Sequence, residues 1–157
     1  MRIGVPQSGY GAERNIPRIE GLEYVRPWDV HRVMAGWDLV RGREMRRWHL
    51  FTFSEPHLPR VDLLHFFNSI AFGRTPWVTT YESLIPRWYD EVPDARIHEG
   101  IDRLLDGSCR RLIGFSEAAV GSFEEYVHRM GRGDVWGELL GKNTVLHPPQ
   151  ALLPERE

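Results

Sequence analysis

The strongest constraint on the fold of this chain is an alternation of two kinds of apolar segment. Seven short runs are apolar over most of their length, a pattern typical of strands buried on both faces of a parallel sheet. Segments with helical periodicity lie between them, and strands that alternate with helices predict an α/β domain with helices on both faces of a mainly parallel sheet. The predicted strands are Ile3–Val5, Leu22–Arg26, Trp48–Phe53, Val61–Phe66, Trp77–Tyr81, Arg111–Phe115 and Thr144–His147.

Four segments carry apolar residues every three or four positions, which places those residues on one stripe of a helix. Such stripes usually face the protein core, so we expect all four to be buried. The stripes are Val30, Val33, Met34, Trp37 and Val40; Ile97, Ile101, Leu104 and Leu105; Ala119, Val120, Phe123, Val127 and Met130; and Val135, Trp136, Leu139 and Leu140.

Length and composition restrict the class of protein. The 157 residues suit one domain with a real core. No apolar run approaches the roughly 18 residues of a membrane span, and the first residues lack the apolar region of a secretory signal. One cysteine, Cys109, permits no internal disulfide and favours a reducing cytoplasm. A net charge of −2 argues against a nucleic-acid-binding surface.

The final residues suggest a domain boundary. Pro148 and Pro149 impose an extended backbone without hydrogen-bond donors after the last predicted strand. We therefore predict one domain over residues 1–148, followed by the start of an interdomain linker over 149–157, with the second domain absent from this chain.

Polar residues follow four of the predicted strands. Ligands of open α/β sheets bind beyond the carboxyl ends of the strands, near a switch in strand order. These residues should therefore gather at one edge of the sheet and line a cleft or acceptor site. They are Ser8, Gly9, Tyr10 and Gly11; Asn68 and Ser69; Glu82; and Ser116 and Glu117.

Each group also has a structural interpretation. The loop Ser8–Gly11 could cradle a phosphate, although two glycines are more often a plain turn. Ser116 could assist anion binding at a helix start or simply cap that helix. Glu82 is the candidate catalytic residue, or else it forms an ion pair with Arg87 or Arg74.

Metal binding is not indicated. His49, His57 and His65 recur every eight residues, which matches no zinc pattern. Prolines break any single helix that could align them, and His65 lies within a predicted strand, so we interpret it as a hydrogen-bonded core histidine.

A serine hydrolase is a third alternative. The segment Gly114–Ala118 nearly matches the G-x-S-x-G nucleophile elbow, and Asp134 and His147 follow Ser116 in hydrolase order. However, alanine replaces the second glycine, no His-Gly-Gly oxyanion loop lies upstream, and the chain is short for that fold.

Four segments between residues 61 and 149 match family motifs in order and spacing. They are Val61–Asn68, Trp77–Glu82, Cys109–Ala118 and Asn143–Pro149. They resemble, respectively, the D-(apolar)-(apolar)-H-x-x-(N/D) strand, the P-x-V-x-T-x-H/E strand, the (apolar)-I-A-x-S-E-A junction and the closing K-x-x-V-I-x-(P/N)-(P/G) strand of family 4 glycosyltransferases.

This resemblance implies a Rossmann-like three-layer domain, the N-terminal, acceptor-side half of a GT-B architecture. The full enzyme would move a sugar from a nucleotide-sugar to an acceptor hydroxyl with retention of configuration. The acceptor would be a glycan or a lipid-linked sugar. Glu82 stands where the family often has a histidine, which puts its catalytic role in doubt. The alternative to an enzyme is a non-catalytic Rossmann-like module that binds a nucleotide or a glycan.

The resemblance also implies partners. The isolated chain would bind no cofactor and transfer no sugar, because the nucleotide-sugar donor belongs to the missing donor-binding domain or a separately encoded subunit. Bare apolar surface left by the missing half predicts a homodimer or a complex with that subunit. We expect a cytoplasmic protein, at most peripheral to a membrane, although the sequence shows no strongly basic amphipathic face.

Overall fold

A computed structural model gives the architecture of the chain. It describes residues 1–6, 15–16, 18–42, 51–54, 60–88 and 92–147, without the side chains of residues 32, 35, 38 and 39. No helix in these ranges is long and apolar enough to cross a membrane.

Six strands form a parallel sheet, as the continuous apolar runs predict. The spatial order is β2-β1-β4-β6-β7-β8, and every neighbouring pair is parallel. The central strand β6 is buried along its whole length, as expected for a strand covered on both faces. The bounds are β1 Arg2–Gly4, β2 Glu23–Val25, β4 Leu63–Phe67, β6 Trp77–Tyr81, β7 Cys109–Gly114 and β8 Asn143–Val145.

A second, two-stranded parallel sheet pairs β3 (Thr52–Ser54) with β5 (Ile70–Phe72). The strand β5 was not predicted from the sequence. Only two residues separate it from the end of β4. That is too few for the crossover connection that would place β5 in the same sheet as a parallel strand. The chain therefore passes into a separate small sheet.

Among the described residues, the α-helices with both bounds given are α1 Val30–Val40, α2 Asp94–Leu105, α3 Glu117–Arg129 and α4 Trp136–Lys142, with a 3₁₀ turn at Gly133–Val135. The sequence therefore predicts the α/β class correctly: a mainly parallel sheet flanked by helices, consistent with a Rossmann-like three-layer domain.

The main core joins one face of the sheet to the last three helices. Tyr81 of β6 meets Phe123 of α3 edge-on at 5.5 Å between ring centroids, and both side chains are fully buried. Gly114 of β7 allows α3 to approach closely, since a Cβ there would lie 3.0 Å from Val120. Ile101 and Leu104 of α2 and Leu139 of α4 complete this core. The stripes predicted for these helices thus supply buried residues, although Leu140 is exposed.

The stripe on α1 contradicts the sequence expectation. Its large apolar side chains were expected in the core, but Val33, Met34, Trp37 and Val40 are 47 to 82% exposed. Periodicity shows that one side of a helix is apolar, but it does not show what lies against that side.

Candidate ligand-binding site

Polar residues meet at the carboxyl ends of three neighbouring strands. Asn68 directly follows β4 and Glu82 directly follows β6. Ser116 lies two positions after the end of β7. Because β4, β6 and β7 are adjacent and parallel and sheet strands lie about 4.8 Å apart, these backbone positions span roughly two strand spacings. The strand order reverses between β1 and β4, which is the kind of switch point at which α/β sheets bind ligands; of the three residues only Asn68, at the end of β4, borders it.

Asn68 joins the ends of two strands and leaves one buried donor unpaired. Its backbone N–H donates to the carbonyl of Thr80 at 2.8 Å, and its own carbonyl accepts from the Arg87 N–H at 3.0 Å. Its side-chain Oδ1 accepts from the Glu82 N–H at 3.3 Å. The side chain is 1% exposed, yet Nδ2 finds no hydrogen-bond partner.

This unpaired donor carries a free-energy cost of about 1–3 kcal/mol. Asn68 also holds a left-handed backbone conformation, with φ of 56°, which asparagine tolerates better than most residues. Nδ2 is closed to solvent like the rest of the side chain, so Asn68 shapes this loop through its backbone and Oδ1 and does not offer a donor to a ligand.

Glu82 forms an ion pair with Arg87. Of the two structural partners expected from the sequence, Arg74 and Arg87, the structure selects Arg87. Both side chains remain partly exposed to solvent, so the pair can present a carboxylate and a guanidinium to a polar ligand without leaving an uncompensated charge.

Ser116 caps helix α3. Its Oγ accepts a hydrogen bond from the Ala119 N–H at 3.1 Å, and its backbone is extended, as is usual for an N-cap. Glu117 occupies the first turn, where a negative charge interacts favourably with the helix dipole. The same charge disfavours an anionic ligand at this helix start.

The hydrogen bonds of the described residues do not assemble the predicted hydrolase triad. His147 Nδ1 lies 3.1 Å from the carbonyl oxygen of Phe115, and no hydrogen bond joins it to Ser116 in the described part of the chain. Its partner is therefore the backbone of the residue before the serine.

Two aromatic rings also lie at the carboxyl ends of these strands. Phe67 ends β4 and Phe115 follows β7, with their ring centroids 6.0 Å apart. Both are partly exposed. Ser69 is nearly inaccessible and its hydroxyl donates to the Phe67 carbonyl at 3.2 Å, so it supports the loop from within.

The remaining predictions concern the glycine loop and the histidines. Ser8, Gly9, Tyr10 and Gly11 lie outside the described residues, as do His49 and His57. His65 forms a hydrogen bond with Thr80, with 2.7 Å between Nε2 and Oγ1. The hydrogen bond agrees with the sequence prediction, but His65 is only partly exposed to solvent rather than part of the core. Burial lowers its pKa from 6.5 to about 4. Within the described ranges, no group of His, Cys, Asp and Glu could hold a metal ion.

An open groove of about 400 Å³ lies at the same edge of the sheet, beside β1 and β2. Proline rings and an exposed indole make its lining largely apolar. The lining residues are Pro6, Arg26, Pro27, Trp28, Asp29 and Val33. Neither this groove nor the Phe67–Phe115 pair was foreseen from the sequence, because both depend on which strands become neighbours.

Comparison with known proteins returns no match: no family model, no curated protein and no solved structure corresponds significantly to this chain. Its function has to be inferred from the geometry of its own residues.

Proposed function

We propose that this chain is the acceptor-side domain of a retaining GT-B glycosyltransferase, which moves a sugar from a nucleotide-sugar to an acceptor hydroxyl. The carrying observation is the placement of Asn68, Glu82 and Ser116 at consecutive strand ends of an all-parallel sheet. These are the positions that the resemblance to family 4 enzymes assigns to the cleft. A donor-binding domain, fused or separately encoded, would supply the facing wall.

The chemistry of this edge suits a sugar. A sugar ring offers hydroxyls that both donate and accept, and an apolar C–H face. The partly exposed Glu82–Arg87 pair offers both an acceptor and donors. The partly exposed rings of Phe67 and Phe115 provide apolar surface at the same strand ends.

The proposed reaction divides the work between two domains. The bond from the anomeric carbon to the diphosphate breaks, a bond to the acceptor oxygen forms, and the acceptor hydroxyl releases its proton. This chain would hold the acceptor oxygen in position, while charge on the departing diphosphate would be stabilised by the partner. The isolated chain therefore transfers no sugar and binds no cofactor.

The proposal is tested by saturation-transfer NMR of the pure chain with a panel of mono- and disaccharides. We expect transfer to at least one saccharide, and binding about tenfold weaker in Glu82→Gln, which keeps the side-chain size but removes the charge. Glu99→Gln is the matched control, because Glu99 forms a comparable surface ion pair with Arg96 away from the site.

Two outcomes would contradict the proposal. Release of nucleoside diphosphate from a nucleotide-sugar by the isolated chain would show that it contains a complete active site. Binding of free nucleotides, with no saccharide bound, would instead favour the non-catalytic nucleotide-binding module.

A further inference from the structure

Helix α1 carries an exposed apolar stripe, which consists of Val33, Met34, Trp37 and Val40. These four residues are 47 to 82% exposed. The helix is attached to the domain by another side, where His31 Nε2 lies 2.9 Å from Ser54 Oγ in β3. Contiguous exposed apolar surface of this kind usually marks an interaction surface.

The spacing of the exposed positions is palindromic. Val33, Gly36, Trp37 and Val40 are separated by three, one and three residues, and at 100° per residue they fall within an arc of about 100°. The pattern is therefore the same when read from either end of the helix. If two copies of α1 pack antiparallel about a two-fold axis, Val33 of one copy faces Val40 of the other, and Gly36 faces Trp37.

Gly36 provides the space that such packing requires. It is exposed in the middle of the helix, and among the described residues nothing beyond the helix's own backbone lies within 4 Å of the position a Cβ would take. Glycine destabilises a helix interior relative to alanine, and no neighbour among those residues requires it here. The Trp37 indole of a second copy, which is 57% exposed, is a large side chain that can fill this space.

The exposed area is sufficient for a stable pair. The stripe together with Trp28, which lines the same groove as Val33, presents roughly 600 Å² of surface, judged from the exposed fractions. Each partner of a stable protein pair buries about 600–1,000 Å². The Arg41 guanidinium stacks on the Trp37 ring at 4.7 Å from its centroid, and tryptophan, methionine and arginine are the residues that protein interfaces favour.

Charge does not oppose self-association at this surface. Residues 26–42 contain three arginines and two aspartates, which gives a net charge of +1 with histidine neutral. Two such surfaces repel each other only weakly in solution. An acidic partner would be favoured by a strongly basic border, so the near-neutral border points to a second copy of the chain.

We propose that this chain forms a two-fold symmetric dimer in which the α1 helices of two copies pack antiparallel, with Gly36 of each copy against Trp37 of the other. This inference goes beyond the sugar-transfer proposal and does not depend on it. It assigns self-association to α1 rather than to surface left bare by a missing domain.

The first test is analytical ultracentrifugation of the full 157-residue protein over a range of concentrations. We expect an equilibrium between monomer and dimer with a dissociation constant in the micromolar range, because the interface is at the small end of stable pairs. Val33→Asp should raise this constant by at least about tenfold, because it places a carboxylate opposite Val40 in the interface.

Two further variants separate the interface from folding. Leu140→Asp is the matched control: Leu140 on α4 is 50% exposed and Val33 is 48% exposed, but only Val33 belongs to the stripe, so Leu140→Asp should dimerise as the unchanged protein does. Gly36→Gln should weaken the dimer by at least about tenfold because its side chain occupies the space for Trp37. Its thermal melt, followed by circular dichroism, should be no lower than that of the unchanged protein, because glutamine is a better helix former.

Disulfide trapping tests the antiparallel arrangement. Val33→Cys and Val40→Cys are mixed as separate proteins and exposed to a mild oxidant, with the native Cys109 almost completely buried. We expect a disulfide mainly between the two different variants, since position 33 of one copy faces position 40 of the other.

Four results would overturn the proposal. A protein that stays monomeric at every concentration, or folded Val33→Asp that dimerises as tightly as the unchanged protein, would show that the stripe is not the interface. Disulfides that form mainly within each variant would exclude antiparallel packing. A monomeric protein whose stripe binds lipid vesicles instead would show that a second copy does not cover it.

Discussion

Acidification is expected to destabilise this fold through one histidine. His65 lies in β4 with its imidazole hydrogen-bonded to Thr80, whose side chain is almost completely buried. Burial disfavours the imidazolium and lowers the pKa of His65 to about 4. In the unfolded chain the same group would titrate at its ordinary value of 6.5.

The sign and the size of this pH effect on the free energy of unfolding follow from the difference in proton binding between the folded and unfolded chains. As pH falls below 6.5 the unfolded chain takes up a proton that the folded chain does not bind until about pH 4, so the free energy of unfolding decreases across this window. A difference of about 2.5 pKa units corresponds to at most about 3 kcal/mol. About 2 kcal/mol of this should already be lost at pH 5, relative to pH 8.

Urea unfolding monitored by circular dichroism at several pH values between 8 and 5 measures this contribution. Carboxylates also titrate near the acid end, so the informative quantity is the difference between the unchanged protein and His65→Gln. That variant should lose about 2 kcal/mol less stability over the same range. His128→Gln, at an exposed position on α3, controls for the removal of an imidazole as such. Equal pH dependence of the unchanged protein and His65→Gln would refute the reasoning.

Two further predictions concern helix ends. Lys142 Nζ donates to the carbonyls of Leu104, Leu105 and Asp106 at 3.0, 2.6 and 2.9 Å. Lys142→Met should therefore lower the free energy of unfolding in urea by about 1–2 kcal/mol. An unchanged free energy of unfolding would show that water replaces the ammonium group fully and would contradict the prediction. Removing the α3 cap with Ser116→Ala should cost about 1 kcal/mol, whereas Ser116→Asp, which can still accept from the Ala119 N–H, should restore most of it in thermal melts; a melting temperature equal in both variants would contradict the capping role.

Much of the fold can be predicted from the sequence because buried parallel strands have a distinctive composition. The run Trp77–Tyr81 matches β6 in both bounds, and the stripe containing Phe123 and Val127 is buried in the core. The α1 stripe was placed wrongly for a physical reason: periodicity reports the polarity of a helix side, whereas burial depends on elements distant in sequence. The small strand β5 was missed because it belongs to a separate sheet.

The candidate site was predictable only in part. Its location follows from the rule that parallel strands end at one edge, and Asn68, Glu82 and Ser116 lie there. What the residues do at that edge depends on contacts that no local pattern reveals. The unpaired Nδ2 of Asn68, the choice of Arg87 over Arg74, and the hydrogen bond between His147 and the Phe115 backbone all require the three-dimensional arrangement.

The all-parallel order of the sheet affects how the chain is made. Two parallel strands cannot be joined by a tight turn, so each pair of neighbours must wait for the segment that crosses between them. The first strand, at residues 2–4, meets β4 only after about sixty further residues have been synthesised, and the last strand is added at residues 143–145. During translation, unpaired strand edges and apolar surface remain accessible until nearly the whole domain has left the ribosome, a period in which a chaperone would be most useful.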